Sequence, residues 1–332
     1  MNQNEFSKDN YKIVPLRFED RIEIMKWRNE QIYHLRQAEP LTEESQDNYF
    51  RTTVASLFEQ ENPSQILFSY LKDDVCIGYG GLVHINWIDR HAEISFIMKT
   101  ELEIYEFEKH WTNFIRLITI LAFEDLKLKR IFTYAFDIRP MLYSILEKNR
   151  FQLKSRLKNQ IEIEGKEVDV LIHERKNPFY LIQPRVITND DVSMIYEWSN
   201  DTLVRIQSFN QEPILFKNHK NWFEDKLNNK DSLLIINEFE NVPAGFIKFD
   251  IEKEYSTIGI LISQDFRGKG LAKDMLIKSS EFYFHKFDKP IWAFIKETNK
   301  VSIKSFEQAG YLFSHNQIIN QIPSLVYKLD KI

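Results

Sequence analysis

The sequence predicts an α/β chain built from two copies of one fold, and three observations carry that prediction. Segments of helical and strand periodicity follow one another in the same order in both halves of the 332-residue chain. Short residue groups recur between the halves at slowly drifting offsets. The second half holds the stretch that organises the rest, Ser256 to Ser280, in which a strand turns through glycines into a helix.

In the first half, residues 11–17 read as a strand and Glu19 to Asn29 as an amphipathic helix ending at Trp27-Arg28-Asn29. Leu41 to Phe58 reads as a second helical region. Thr42, with Ser45 nearby, suits its start, and Glu43 and Glu44 suit a helix first turn. Strands are expected near 66–71, 75–85 and 92–99, then a long helix at about 105–126, a strand at 130–136 and a short helix at about 139–149. Ile161 to Val170 alternates around Gly165 and reads as a hairpin. Glu174-Arg175-Lys176-Asn177-Pro178 is polar, ends in proline and reads as the linker, which divides the chain into residues 1–176 and 177–332.

The second half repeats the order. Tyr180 to Val186 reads as a strand, and Asp190 and Asp191 open a helix ending at Trp198-Ser199-Asn200. A helix containing Trp222-Phe223 follows Glu212-Pro213. Strands are expected near 232–238, 243–250 and 256–262, then the glycine turn and its helix, the strand Ile291 to Ile295, and a helix ending at Gly310. The recurring groups are Trp27-Arg28-Asn29 with Trp198-Ser199-Asn200, Glu39-Pro40 with Glu212-Pro213, Ile77-Gly78-Tyr79 with Ala244-Gly245-Phe246, and Asn149-Arg150-Phe151 with Ala309-Gly310-Tyr311. Their offsets by subtraction are 171, 173, 167 and 160 residues, a drift that loop lengths account for. Both Glu-Pro pairs are followed at equal distance by an aromatic pair, Tyr49-Phe50 and Trp222-Phe223. The alternative is two unrelated α/β domains with similar strand patterns, and this shared spacing argues against it.

Bulk composition narrows the function classes. With 44 basic and 49 acidic side chains the net charge is −5, which gives no reason to expect nucleic-acid binding. At 43% hydrophobic and 14% aromatic residues the chain can bury sizeable cores. The one cysteine, Cys76, lies in an apolar run, excludes a disulfide framework and reads as a small buried side chain. Met1 to Asn10 is polar without a signal-peptide core, and no apolar run approaches membrane length. The expectation is a soluble cytoplasmic protein. No metal-ligand pattern stands out.

Within the organising stretch, Thr257 to Ile262 is a β-branched run, Arg267-Gly268-Lys269-Gly270-Leu271-Ala272 is a turn with two cations, and Leu271, Met275 and Leu276 fall on one helical face. Such a strand–glycine turn–helix suits an anion: glycines admit close backbone approach, the first helical N–H groups have no intrahelical acceptor, and the dipole favours negative charge. It reads equally as an ordinary tight βα turn. Neither the P-loop spacing nor the Gly-x-Gly-x-x-Gly turn of dinucleotide sites is present.

The turn resembles the Arg/Gln-x-x-Gly-x-Gly/Ala pyrophosphate loop of the GNAT superfamily of N-acetyltransferases, with Arg267, Gly270 and Ala272 at its fixed positions. A second stretch, with Asn299, Ser302, Phe306, Gly310 and Tyr311, is similar to that superfamily's Asn-x-x-Ser…Gly-Phe/Tyr helix. The resemblance implies two tandem GNAT folds, each a mixed, mostly antiparallel sheet flanked by helices. It implies acetyl-CoA lying between strands that splay around Leu261 and Trp292, its pantetheine arm on backbone groups of Ile260 and Ile262. The pyrophosphate would lie on the amides of Gly268 to Ala272, with Arg267 and Lys269 as cations and Asn299, Ser302 and Phe306 beside the cofactor. It further implies direct attack by an amine, with the Ile260 N–H for the developing oxyanion.

Many members carry a tyrosine acid seven residues after the motif asparagine, where this chain has Phe306, which cannot donate a proton. Ser302 is the substitute by resemblance to ribosomal-protein acetyltransferases. It reads equally as a hydroxyl bonded to its own helix backbone. Glu212 and His219 lie in the region that covers the acceptor and are candidates for the base. The competing reading makes Glu212 a helix cap and His219 a solvated residue. In the first half, Glu106-Phe107-Glu108-Lys109-His110-Trp111 replaces the glycine turn, so that half is expected to have lost its cofactor site.

The segment from Trp198 to Phe223, with Arg205, Ser208, Phe209, Glu212, His219 and Trp222, resembles acetyltransferases of the pseudaminic acid pathway. Those act on 4-amino groups of nucleotide-linked deoxy-sugars, ahead of surface glycan assembly. The expected acceptor is therefore a small-molecule amine of that kind. Rival expectations are a protein N-terminal or other small-molecule amine acceptor, or a non-catalytic acyl-CoA-binding module.

Overall fold

The computed structural model describes residues 5–331. Two compact units divide between Asn177 and Pro178. In the first, β1 (Phe6–Lys8) and β2 (Tyr11–Pro15) lead into α1 (Arg21–Glu30), α2 (Glu43–Tyr49) and, through a wide π turn, α3 (Ala55–Glu59). Then come β3 (Ile66–Lys72), β4 (Val75–Asn86), β5 (His91–Met98), α4 (Thr100–Tyr105), α5 (Phe107–Ile120), β6 (Arg130–Phe136), α6 (Pro140–Lys148), β7 (Gln152–Ile163) and β8 (Lys166–Lys176). The eight strands form one sheet in the order β1-β2-β3-β4-β5-β6-β8-β7, antiparallel except for the parallel β5–β6 pair.

The second unit runs β9 (Ile182–Val186), α7 (Val192–Asn200), α8 (Thr202–Gln207), α9 (Phe216–Asn228), β10 (Ser232–Phe239), β11 (Val242–Ile251), β12 (Ser256–Ile262), α10 (Ala272–Phe284), β13 (Ile291–Lys296), α11 (Lys300–Gln308), β14 (Leu312–Ile319) and β15 (Ile322–Leu329). Its seven strands are ordered β14-β15-β13-β12-β11-β10-β9, again with one parallel pair, β12–β13.

Both sheets are covered on both faces, which explains their continuous apolar strands. In β10, Leu233 and Ile235 enter the core under α10, while Leu234 and Ile236 enter the core under α7 and α9. The same alternation sends Phe68 and Tyr70 of β3 to one core and Leu67 to the other. Thr42 and Ser45 form a reciprocal capping box that starts α2.

The internal repeat extends to hydrogen bonds. The Asn29 side chain donates to Leu41 O at 2.8 Å and accepts from Leu41 N–H at 2.7 Å. Asn200 does the same with Ile214, at 3.1 and 2.8 Å. Leu41 and Ile214 each directly follow the repeated Glu-Pro pair, so Asn and Glu-Pro recur because one fastens the loop that the other turns. In each aromatic pair the phenylalanine, Phe50 or Phe223, is buried in the core.

Several elements differ from the sequence reading. Glu174 to Lys176 belong to β8, paired with β6, so the connection between units is far shorter than the polar run suggested. The expected helix at 105–126 is interrupted at Glu106, whose φ of −130° is not helical, and begins earlier as α4. The short β1, the helix α8 and the last hairpin, β14–β15, were not expected, and the β7–β8 hairpin is much longer than 161–170. Both β7 and β14 are edge strands. The mostly polar, exposed sequence of β7 protects an edge but erases the alternation that reveals a strand, and β14 is exposed along nearly its whole length, with apolar Leu312, Phe313 and Ile318 outside the core. Cys76 is half-buried, and burial pushes its thiol up to about 12.

Candidate functional site

The site begins with a break in a ladder. β12 pairs with β13 only at Ser256–Ile291, Thr257–Trp292 and Ile258–Ala293. Beyond that point β12 stays on β11 as far as Ile262, and β13 stays on β15 as far as Lys296. The strands therefore open after Ile258 and Ala293, and Trp292, expected in the opening, lies in the paired part. Ser263 N–H donates to Ala244 O on the β11 side, whereas Ser256 N–H donates to Pro290 O on the β13 side. The two-residue alternation then turns the N–H and C=O groups of Ile260 and Ile262 toward the opening.

The glycine turn follows directly. Gly268 and Gly270 have φ of +71° and +72°, the left-handed region that other residues enter at a cost. A Cβ on Gly268 would meet nothing within 4 Å, so its glycine serves the backbone angle and not a crowded neighbour. The helix ladder of α10 starts with Met275 N–H on Leu271 O, which leaves the preceding amides ahead of that ladder at a 13-residue helix N-terminus. Gly268, Lys269 and Gly270 are exposed and Ala272 is half-buried, whereas the Leu271 side chain is buried in the core, so only its backbone is available.

Arg267 is turned away from this turn. Its Nε donates to Ile262 O at 3.0 Å, and its Nη2 lies 2.8 Å from the Asp201 carboxylate, which also caps α8 through the Leu203 and Val204 N–H groups. The guanidinium beside Asp201 holds that carboxyl below its usual range. Arg267 thus ties the turn to α8. Asp201 is a site residue that sequence reasoning missed, because its partner is 66 residues away by subtraction. Lys269 lies 4.6 Å over the Phe266 ring.

A cavity of about 460 Å³ adjoins the opening, lined among others by Arg205, Ser208, His219, Trp222, Ile260 and Leu261. Four of the six residues expected to bind acceptor are thus brought together with two expected on the cofactor side. Glu212 is exposed and Phe209 half-buried, and neither lines the cavity. The α9 helix has no side-chain cap, so Glu212 does not cap it. Arg205 organises the α8–α9 loop, donating to Asn210 O at 3.2 Å, Glu212 O at 3.4 Å and Ser208 Oγ at 3.0 Å, while its buried Nε has no partner. Lys248, also on the lining, packs its stem over Gly259.

His219 is 2% exposed and not solvated. Its Nε2 lies 2.9 Å from Val192 O. A carbonyl only accepts, so Nε2 carries the proton and Nδ1 keeps the lone pair. Burial lowers the pKa of this imidazole. Asn299 caps α11 by accepting from Ser302 N–H at 3.1 Å. The half-buried Ser302 Oγ makes no hydrogen bond among the described residues; the hydroxyl that bonds back within this helix is that of Ser305, to Val301 O. Phe306 is core, 3% exposed and edge-on to Tyr311.

In the first unit the same ladder breaks after Glu93–Phe132. The glycine turn is replaced by α4 and the Glu106 junction. Glu106 bonds Lys109, and Glu108 bonds Lys148 at 2.6 Å. Met98 O, at the place of Ile262 O, accepts from Gln31 Nε2 at 2.8 Å. No left-handed glycine precedes α5. Among the described residues, no cluster of three or more potential metal ligands occurs, and no helix is long and apolar enough to cross a membrane.

Comparison with known proteins places the chain in a family. Two family models match, each described as an acetyltransferase (GNAT) domain, one at residues 13–172 and one at residues 184–312. A curated relative is the SPbeta prophage-derived uncharacterized N-acetyltransferase YokL of Bacillus subtilis strain 168, 26% identical over 136 residues, 39% of this chain and 74% of that protein. Similar solved structures include AAC(6')-Ib in complex with paromomycin and acetyl-CoA, 17% identical over 45% of this chain and 93% of that one, with a TM-score of 0.42. Another is spermidine N-acetyltransferase from Vibrio cholerae in complex with CoA and spermine, 14% identical over 46% of this chain and 96% of that one, with a TM-score of 0.43. With a GNAT domain matched in each half, the chain belongs to the GNAT N-acetyltransferases and carries two such domains in tandem.

Proposed function

We propose that the second domain transfers an acetyl group from acetyl-CoA to a primary amine on a nucleotide-linked amino-sugar. The observation that carries the acceptor class is the charge of the cavity: Arg205, which no carboxylate among the described residues meets, lines it, and no carboxylate does, whereas the Lys248 on its wall is paired with Asp250 at 2.9 Å. A polycation such as a polyamine would meet repulsion there, whereas an amine carried on a phosphate-bearing molecule finds the Arg205 guanidinium for its charge. The residues also suit the cofactor. Two left-handed glycines, the α10 N-terminus, the backbone edge of Ile260 and the Ile262 N–H form a cradle for a diphosphate and an extended amide-bearing arm, the Ile262 carbonyl already accepting from Arg267.

Bound acetyl-CoA supplies the activated thioester. The Ile260 N–H, facing the opening, donates to the oxygen on which charge develops. His219 Nδ1 accepts the proton of the acceptor amine, because Nε2–H is held by Val192 O. Ser302 Oγ, with no other hydrogen bond among the described residues, holds a proton for the departing thiolate. Glu212 is exposed and outside the cavity, so the base falls to His219.

A thiol-release assay on the full chain tests this, with a nucleotide-linked 4-amino sugar, the free amino sugar, spermidine and a peptide amine as acceptors. The nucleotide-linked sugar is expected to react at least about tenfold faster than the others, a difference of about 1.4 kcal/mol. Equal or faster acetylation of spermidine or peptide would overturn the acceptor class. In the same assay His219→Gln is expected to lower kcat by about 10²- to 10⁴-fold. The wild-type rate should hold to a pH below the ordinary histidine range before it falls, because burial lowers this pKa. The stability that the neutral ring contributes has the same sign: present above the unfolded pKa, lost as pH falls. Ser302→Ala is expected to lower turnover with unchanged acetyl-CoA affinity; full turnover at every pH would assign the proton to another group.

A further inference from the structure

The first domain has no glycine turn, yet it keeps a cavity of about 490 Å³ where its own strands part. The segment Ser95-Phe96-Ile97 lines it, in the register that Gly259-Ile260-Leu261 holds beside the second domain's cavity. The chemistry of its wall is different. Tyr79, Phe96, Trp111 and Tyr134 give it aromatic surface, and three arginines, Arg28, Arg36 and Arg139, reach it.

Two of these arginines are neutralised. Arg36 pairs with the buried Glu93, and Arg139 lies 2.7 Å from Glu103. Arg28 is not: its Nε donates to Gln37 Oε1 at 2.8 Å and its Nη1 to the Tyr79 hydroxyl, and no carboxylate among the described residues reaches it. Neither hydrogen of its Nη2 has a partner there. Two further lining residues keep a buried polar atom with no hydrogen-bond partner, Trp111 at Nε1 and Thr133 at Oγ1, although the residues are only 4% and 3% exposed. Leaving such groups unmet costs about 1–3 kcal/mol each, so their retention asks for an acceptor.

We infer that this cavity binds a small organic carboxylate with an aromatic or apolar body. The carboxylate meets the Arg28 guanidinium, which offers donors in the fork geometry that matches it, and the Trp111 N–H supplies a further donor. The aromatic wall covers the body. The volume is that of a small-molecule site. The site takes no coenzyme A, because the backbone cradle for a diphosphate is missing and α4 stands in its place.

Calorimetric titration of the full chain tests the inference with three probes of one shape and different charge: 3-phenylpropionate, 3-phenylpropionamide and 3-phenylpropylamine. The carboxylate is expected to bind at one site per chain, the amide at least about tenfold more weakly, and the amine not at all. Saturating coenzyme A should leave the carboxylate affinity unchanged. Arg28→Gln should weaken it at least about tenfold, as loss of a charged hydrogen bond requires, whereas Arg205→Gln in the other cavity should not change it. Trp111→Phe, which keeps the ring volume of a core position, should weaken it severalfold and serves if Arg28→Gln fails to fold. No binding of the carboxylate up to about 10 mM would overturn the inference. So would equal binding of amide or amine, displacement by coenzyme A, or affinity that survives both first-domain substitutions.

Discussion

Gly270→Glu is expected to abolish acetyl-CoA binding while leaving the second domain folded. Gly270 is exposed and sits at φ +72°, so a side chain there meets solvent but the backbone is strained by about 1–2 kcal/mol. The new carboxylate would stand on the amides that receive a diphosphate. At about 5 Å and an effective dielectric of about 20, one such charge pair costs about 3 kcal/mol, more than a hundredfold in affinity. Gly270→Ala separates the two effects: it carries the strain without the charge and should lose only about tenfold. Calorimetric titration with acetyl-CoA measures both. A folded Gly270→Glu variant with unchanged affinity would make the turn purely structural.

Phe306→Ala is expected to destabilise the second domain by about 3–5 kcal/mol, the usual cost of truncating a buried phenylalanine. Phe306 is 3% exposed, with its ring 4.9 Å from that of Tyr311 at an angle of 84°. Tyr311 is itself buried, its hydroxyl 2.8 Å from Ser280 Oγ of α10. The cavity would therefore loosen the contact between the last helix, α11, and the helix that starts at the glycine turn. Denaturant unfolding of the full chain should show one transition moved to lower denaturant and the other unmoved. A shift below about 1 kcal/mol would mean that Phe306 packs far less than its burial indicates.

The glycine turn was legible because left-handed backbone demands glycine and because a strand, a turn and a helix face each leave a periodic trace. The repeat was legible because Asn29 and Asn200 perform the same task, as do the two Glu-Pro turns, and a task performed twice preserves spacing. Other features left no local trace. Arg267 and Asp201 meet only through the fold, so a residue read as a phosphate cation is a tie between turn and α8. The burial of His219 follows from rings on α7 and α9 that pack around it, including Tyr196 at 5.5 Å and Phe223 at 6.0 Å, on a helix whose other face is solvated. The first domain's cavity arises from residues between Arg28 and Leu142 whose grouping no spacing rule anticipates. The edge strand β7 is mostly polar along its exposed edge, and that polarity hides it.

We propose that acetyl-CoA is used by the second domain alone, which fixes the number of acetyl-CoA molecules the full chain binds. Glu106 to Trp111 offers no left-handed glycine and carries two carboxylates, and it follows α4 where the second domain has its glycine turn. Titration of the full chain with acetyl-CoA should therefore give one site per chain, lost in Gly270→Glu. Two sites per chain, or one that persists in that variant, would return the cofactor to the first domain and overturn the assignment to the second.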